Sequence, residues 1–197
     1  MKRSNRPGRG AILKVDPIRN PDKIDAIKRL LAVCPRDLLL FVLGINTNLR
    51  VCDILGITFS MVRGLRVGDV LLIRESKTKK IRRITLNRTV WATLQAWLVL
   101  NQDQPQESAI FWSRKTGQAL TVPAVNSKIK SWCKAVGLKG RFGCHSLRKT
   151  FGYQHRTRFG TDLPTLMVMY NHSNQRQTLD YLGIMEEDVA AAYLHEI

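Results

Sequence analysis

Gly143-Cys144-His145-Ser146-Leu147-Arg148 is the stretch on which the reading of this sequence turns. It sets a histidine and an arginine three positions apart. If the segment opens a helix, both side chains project from one face, close to the positive end of the helix dipole. Such a pair outlines a site for an oxyanion. Taken alone, the same spacing also describes a surface pair on a basic helix, so its meaning depends on what the rest of the chain supplies.

Upstream, Asn48-Leu49-Arg50-Val51-Cys52-Asp53-Ile54-Leu55-Gly56 reads as a short helix entered by Arg50 and closed by the glycine. An ordinary salt bridge to Asp53 would explain that arginine equally well. The β-prone runs 70–74 and 81–86 flank Ser76-Lys77-Thr78-Lys79-Lys80 and predict a hairpin with a basic tip. Downstream, Asn171-His172-Ser173 precedes Thr178-Leu179-Asp180-Tyr181, so His172 and Tyr181 stand nine apart. Around these landmarks the apolar spacing predicts helices from Pro21 (Ile24, Ile27, Leu30, Leu31) and over 35–45 and 87–101. Another carries Val125, Ile129, Trp132 and Val136 and ends at Gly137. Further helices are expected at 146–158, 163–170, 175–182 and 186–195. The fold class is α+β, mainly helical, with one small antiparallel hairpin.

With 197 residues, 44% of them hydrophobic, the chain suits one compact domain and excludes global disorder. Lys and Arg number 32 against 15 Asp and Glu, a formal charge of +17. That excess repels itself in a compact fold unless a polyanion uses it, which puts nucleic acid first among partners. The charge is clustered: 63–88 holds nine basic residues against Asp69 and Glu75, and 139–158 holds six with no acid. Residues 180–197 contain Asp180, Glu186, Glu187, Asp188 and Glu196 and no Lys or Arg, so this tail should face protein rather than phosphate. The first twenty residues carry Lys2, Arg3, Arg6, Arg9, Lys14 and Arg19 against Asp16 and read as a flexible basic arm. The longest apolar run, 38–45, is too short for a membrane span, and no signal-peptide core follows the N-terminus. Cys34, Cys52, Cys133 and Cys144 form no C-x-x-C pair and read as reduced thiols of a cytoplasmic protein. Cys144 adjoins His145, but with no second Cys or His at ligand spacing no metal site is expected.

In order and spacing, an arginine in a short helix, a lysine in the following hairpin, H-x-x-R and a histidine nine before a tyrosine together resemble the tyrosine recombinase (phage integrase) family. The resemblance runs from Pro21 to the end, and local text agrees: Ser76-Lys77-Thr78, His145-Ser146-Leu147-Arg148-Lys149-Thr150 and Asn171-His172-Ser173. One departure is Asn171, where the family usually has glycine. A second is extent. Family members commonly carry a separate N-terminal core-binding domain, and this chain looks like either the compact recombinases of fimbrial phase-variation switches or a catalytic fragment of a longer integrase.

The resemblance implies a site-specific DNA recombinase that cuts and rejoins strands through a 3′-phosphotyrosyl intermediate, with neither metal nor cofactor. Tyr181 is then the nucleophile, while Tyr153, Tyr170 and Tyr193 lack the family's interval from His172. Arg50 and Arg148 would grip the phosphate, His145 accept the tyrosyl proton, and His172 donate a hydrogen bond. Lys77 would protonate the leaving oxygen, with Lys79 and Lys80 as rivals. Lys79, Lys80, Arg82, Arg83 and Lys149 are expected to contact DNA. Double-stranded DNA is the implied partner, in a homotetramer of protomers that are monomeric in solution, with the tail over 184–197 exchanged between neighbours. A non-cleaving regulator and a type IB topoisomerase are the alternative readings.

Overall fold

A computed structural model of the chain describes residues 15–113, 116–184 and 186–196. Among these residues ten helices and one two-stranded sheet form in the order α1 (Pro21–Leu31), α2 (Pro35–Asn46), α3 (Val51–Leu55), α4 (Phe59–Val62), β1 (Val70–Arg74), β2 (Ile81–Thr85), α5 (Arg88–Val99), α6 (Val122–Ala135), α7 (Cys144–Arg158), α8 (Leu163–Tyr170), α9 (Gln175–Leu182) and α10 (Glu186–Tyr193). The helices begin where capping chemistry allows. Pro21 and Pro35 occupy first turns, and the side chains of Asn20, Asn87, Thr121, Asp162 and Asn174 accept hydrogen bonds from exposed N–H groups of α1, α5, α6, α8 and α9. β1 and β2 pair antiparallel from Val70 with Thr85 to Arg74 with Ile81.

α2 is the central strut. Leu39 to Leu43 are all buried, and α1, α5 and α7 pack around it. Its Gly44 lets α7 come close: a Cβ built there would lie 2.4 Å from Leu147 Cδ1. The main core runs from Ile18 through α1–α7 and the inner face of the hairpin. A second, much smaller cluster, Phe151, Leu166, Tyr170 and Leu182, lies under α8 and α9. The four cysteines are free thiols. No helix among the described residues is long and apolar enough to cross a membrane.

Two expectations are corrected and one element is added. Residues 15–20 of the expected flexible arm are packed rather than loose: Ile18 is fully buried, and its N–H donates to Thr150 Oγ1 at 2.8 Å. The surrounding charge hides that single apolar anchor in the sequence. Residues 1–14 lie outside those described. α4, only four residues long, was not anticipated, because periodicity needs more than one turn to register. The last helix ends at Tyr193 rather than His195.

Candidate active site

The expected side chains sit within about one turn of an element end, around two adjoining hollows. Arg50 is the N-cap of α3. Its Nη1 lies 3.2 Å from Glu75 Oε1 and 3.9 Å from Asp53 Oδ2. The sequence offered Asp53 as partner, but Glu75, at the mouth of the hairpin, is the nearer one. Burial alone would raise the Glu75 pKa; the Thr78 hydroxyl and the Arg50 guanidinium outweigh it and hold the carboxyl below its ordinary value. Asp53 in turn accepts from the Ser76 N–H at 2.8 Å, fastening the hairpin tip to α3.

Arg148 is 1% exposed, one turn inside α7. Its Nη1 donates to the Asn48 carbonyl and its Nη2 to the Tyr170 carbonyl at 3.2 Å. Its guanidinium carbon stacks 4.9 Å from the Tyr170 ring centroid and 5.4 Å from that of Tyr181. Arg148 Nε is buried without a hydrogen-bond partner, and Arg50 Nη1 faces the Glu75 and Asp53 carboxylates as ion pairs only, outside hydrogen-bond geometry. Buried donors of that kind are costly unless an acceptor reaches them, and an anion in the site would be one. Asn48, at φ 47°, turns the chain so that its carbonyl meets Arg148; this support was missed in the sequence.

His172 Nε2 lies 3.5 Å from Arg148 Nη2, and Nδ1 lies 3.1 Å from the buried Thr178 hydroxyl. Arginine can only donate, so in this state Nε2 accepts from Arg148 and Nδ1 carries the hydrogen toward Thr178; because a hydroxyl serves either role, the other tautomer would present Nε2–H to an oxyanion. Burial, then Arg148 and Arg50, lower the His172 pKa to about 4. The same causes in the same order lower His145, so both imidazoles are neutral at pH 7. Asn171 caps α8 in the left-handed conformation, φ 57°, which asparagine tolerates nearly as glycine does; the departure from the family's glycine leaves the turn intact.

Tyr181 lies in the last turn of α9. Its ring centroid is 6.5 Å from that of His145 and 5.6 Å from that of His172. Arg50, Lys77, Thr78, Lys80, His172, Gln177 and Tyr181 line one open cleft of about 390 Å³. A smaller recess beside it is lined by Arg50, His145 and Arg148. All six expected catalytic side chains thus meet around adjoining hollows. Lys80 shares the cleft with Lys77, so it remains a rival for the acid, whereas exposed Lys79 is not among the cleft residues. Tyr170 is no competitor for Tyr181: burial pushes its phenol well above the usual range, and its hydroxyl donates to the Arg148 carbonyl at 2.7 Å.

Among the expected DNA-contacting cations, Arg83 is exposed and Lys149 partly so. Arg82 is not available. It is 5% exposed, and its Nη2 donates to Asn48 Oδ1 and the Met169 carbonyl beneath the site, so its role is to brace the turn holding Arg148.

The model of the phage integrase family matches residues 23–187. The chain belongs to that family. A probable integrase/recombinase of Bacillus subtilis, YoeC, is 34% identical over 91% of this chain and 95% of its own length. The tyrosine recombinase XerC of Proteus mirabilis is 26% identical over 92% of this chain, but this chain spans only 57% of XerC. The crystal structure of the XerH site-specific recombinase in a post-cleavage complex with palindromic difH substrate superposes with a TM-score of 0.73, 19% identity, over 88% of this chain and 51% of that one. Family model and relatives place this chain in one class of enzyme, the tyrosine-type DNA recombinases, and the likeness to XerH shows the shared fold.

Proposed function

We propose that the protein cleaves and rejoins double-stranded DNA at a specific site, with Tyr181 as nucleophile. The observation that carries this is the meeting of two guanidiniums, two neutral imidazoles, a lysine and a phenol around two adjoining hollows that share Arg50. Attack by Tyr181 Oη on the scissile phosphorus forms the phosphotyrosyl bond as the bond to the 5′-oxygen breaks. His145 takes the phenolic proton, and Lys77 delivers one to the leaving oxygen. Arg50 and Arg148 fork onto the non-bridging oxygens, and His172 adds a neutral donor as charge builds there. Because the phosphotyrosyl linkage keeps the phosphoester bond energy, a 5′-hydroxyl from another strand reverses the step and completes strand exchange.

Neutral histidines suit this scheme, since a protonated His145 cannot accept the tyrosyl proton. Exposed Arg83, Lys79 and Lys80, with Lys149, would follow the DNA backbone, and XerH, which shares the fold, is seen bound to its difH substrate. For assembly we take a cyclic homotetramer on DNA, with α10 docking on the next protomer. Ile184, Val189, Tyr193 and Leu194 are exposed on the tail, and an ion pair from Asp188 Oδ2 to Arg156 Nη2 at 3.3 Å joins α10 to its own α7.

The test is a nicked suicide substrate drawn from the DNA flanking the gene. A covalent protein–DNA adduct on a denaturing gel, absent from Tyr181→Phe, is the expected result. Binding without an adduct across such sites would favour a non-cleaving regulator, and plasmid relaxation without exchange a topoisomerase.

A further inference from the structure

The nucleophile helix has little of its own to hold it in place. α9 has eight residues, too few for a helix to persist unaided, and only Thr178 and Leu182 of it are buried. It rests on the smaller apolar cluster rather than on the main core. Its C-cap, Gly183, takes the left-handed φ of 64°, and there the segment ahead of α1 takes hold of it. Arg19 Nη2 donates to the Gly183 carbonyl at 2.9 Å, while the guanidinium carbon lies 5.1 Å from the Tyr153 ring centroid. Pro17 closes another side: a Cβ built on Gly183 would fall 3.1 Å from Pro17 Cγ.

That segment is fastened along α7, the helix that opens with His145 and Arg148. Ile18 N–H bonds Thr150 Oγ1, and Gln154 Nε2 donates to the Ile18 carbonyl at 3.2 Å and the Arg19 carbonyl at 2.7 Å. Asp16 and Arg141 exchange two further bonds, N–H to carbonyl at 2.7 Å and N–H to Oδ2 at 2.8 Å. Tyr153 itself belongs to α7. One stretch of four residues, Asp16 to Arg19, therefore ties the helix that carries the phosphate-binding groups to the end of the helix that carries the phenol.

We propose that Arg19 is a positioning residue: through Gly183 it sets how far Tyr181, two positions earlier, reaches toward the phosphate beside Arg148. This rests on the reading of Tyr181 as nucleophile. The guanidinium suits the task because one planar group both donates to the carbonyl and stacks on Tyr153, fixing the direction of the bond; an ammonium would keep the charge and lose the stack. Gly183 is also the joint between α9 and α10, so anything that pulls on the chain ahead of Val15, or on the tail, works against the same tether.

The test compares Arg19→Ala, Arg19→Lys and Tyr153→Phe in the full chain by two measurements. The first is single-turnover cleavage of the nicked substrate at saturating DNA. The second is hydrogen exchange of the α9 amides without DNA. Arg19→Ala should slow cleavage by about 10- to 100-fold, the penalty of a displaced nucleophile, while DNA affinity falls only as one lost charge requires. Arg19→Lys should keep the affinity and recover part of the rate, and Tyr153→Phe, which keeps the ring, should match the parent. The α9 amides should exchange faster in Arg19→Ala than in the parent, with α2 and α5 unchanged. Unaltered α9 exchange in Arg19→Ala overturns the tether whether or not the protein cuts DNA, as does a loss spread evenly over all helices. A parent that forms no adduct defeats the nucleophile reading instead, and the exchange result then decides the tether by itself.

Discussion

Arg82 and Arg83 are neighbours with opposite tasks. β2 alternates exposed and buried from Ile81 to Thr85, so Arg82 shares the inner face with Ile84, and Arg83 points out. Arg82→Ala should lower unfolding stability by about 3 kcal/mol in urea titration, because it leaves Glu75 and the Met169 carbonyl buried with fewer partners. Its effect on the salt dependence of DNA binding should be small. Arg83→Ala should do the reverse: stability holds, and the slope of log K against log salt falls by about 1. Equal salt slopes for the two variants would contradict the assignment. The distinction was available in the sequence, since the period of two counted back from Ile84 puts Arg82 inside; a count of basic residues along the hairpin concealed it. Glu75 was harder to foresee. Nothing in its local text says that its carboxylate will turn back onto an arginine 25 positions earlier.

The two histidines carry the pH dependence. His172 stays neutral when folded down to about pH 4, while in the unfolded chain it takes up a proton near 6.5. Between those values the unfolded state binds more protons, so stability falls as pH drops from 6.5 toward 4. His145 is shifted the same way, so cleavage should hold down through pH 6.5 and then decline as that imidazole protonates. Rates measured at pH 5 to 8 on the nicked substrate check this, and a cleavage rate that climbs as pH falls would contradict it.

Helices and hairpin announced themselves wherever a period ran for two turns or more, as in α1, α5 and α6. The hairpin did so through paired β-prone runs and a polar tip. α4 and the strap ahead of α1 did not, because a single turn and a single buried Ile18 leave no period to find. The site was recoverable as an ordered set of residue types, yet its supports were not: Asn48, Glu75 and Tyr170 act through carbonyls, buried charge and a stacked ring. α10 shows the limit from the other side. Its apolar residues are visible in the sequence, and in the structure they stay exposed, with Tyr193 at 85%. Removing 186–197 should therefore leave DNA binding by a single protomer intact and weaken assembly on DNA, read as loss of the slowest complexes in a native gel. Unchanged assembly would mean that the tail serves its own domain.

At the scale of the whole molecule, basic residues concentrate along 63–88 and 139–158, and Lys77 and Lys80 of the first stretch line the cleft. The acidic tail leaves from the end of the helix that bears the phenol. In the proposed tetramer this layout would couple DNA, neighbouring protomers and Tyr181 through a few short connections. The measurement that bears most directly on the account is the chemical position of the DNA link. The adduct should be digested with nuclease and protease and the modified peptide sequenced by mass spectrometry. The account predicts a nucleotide phosphate on Tyr181 and nowhere else. A phosphate on Tyr153, Tyr170 or Tyr193, or on a serine of the cleft, would contradict it.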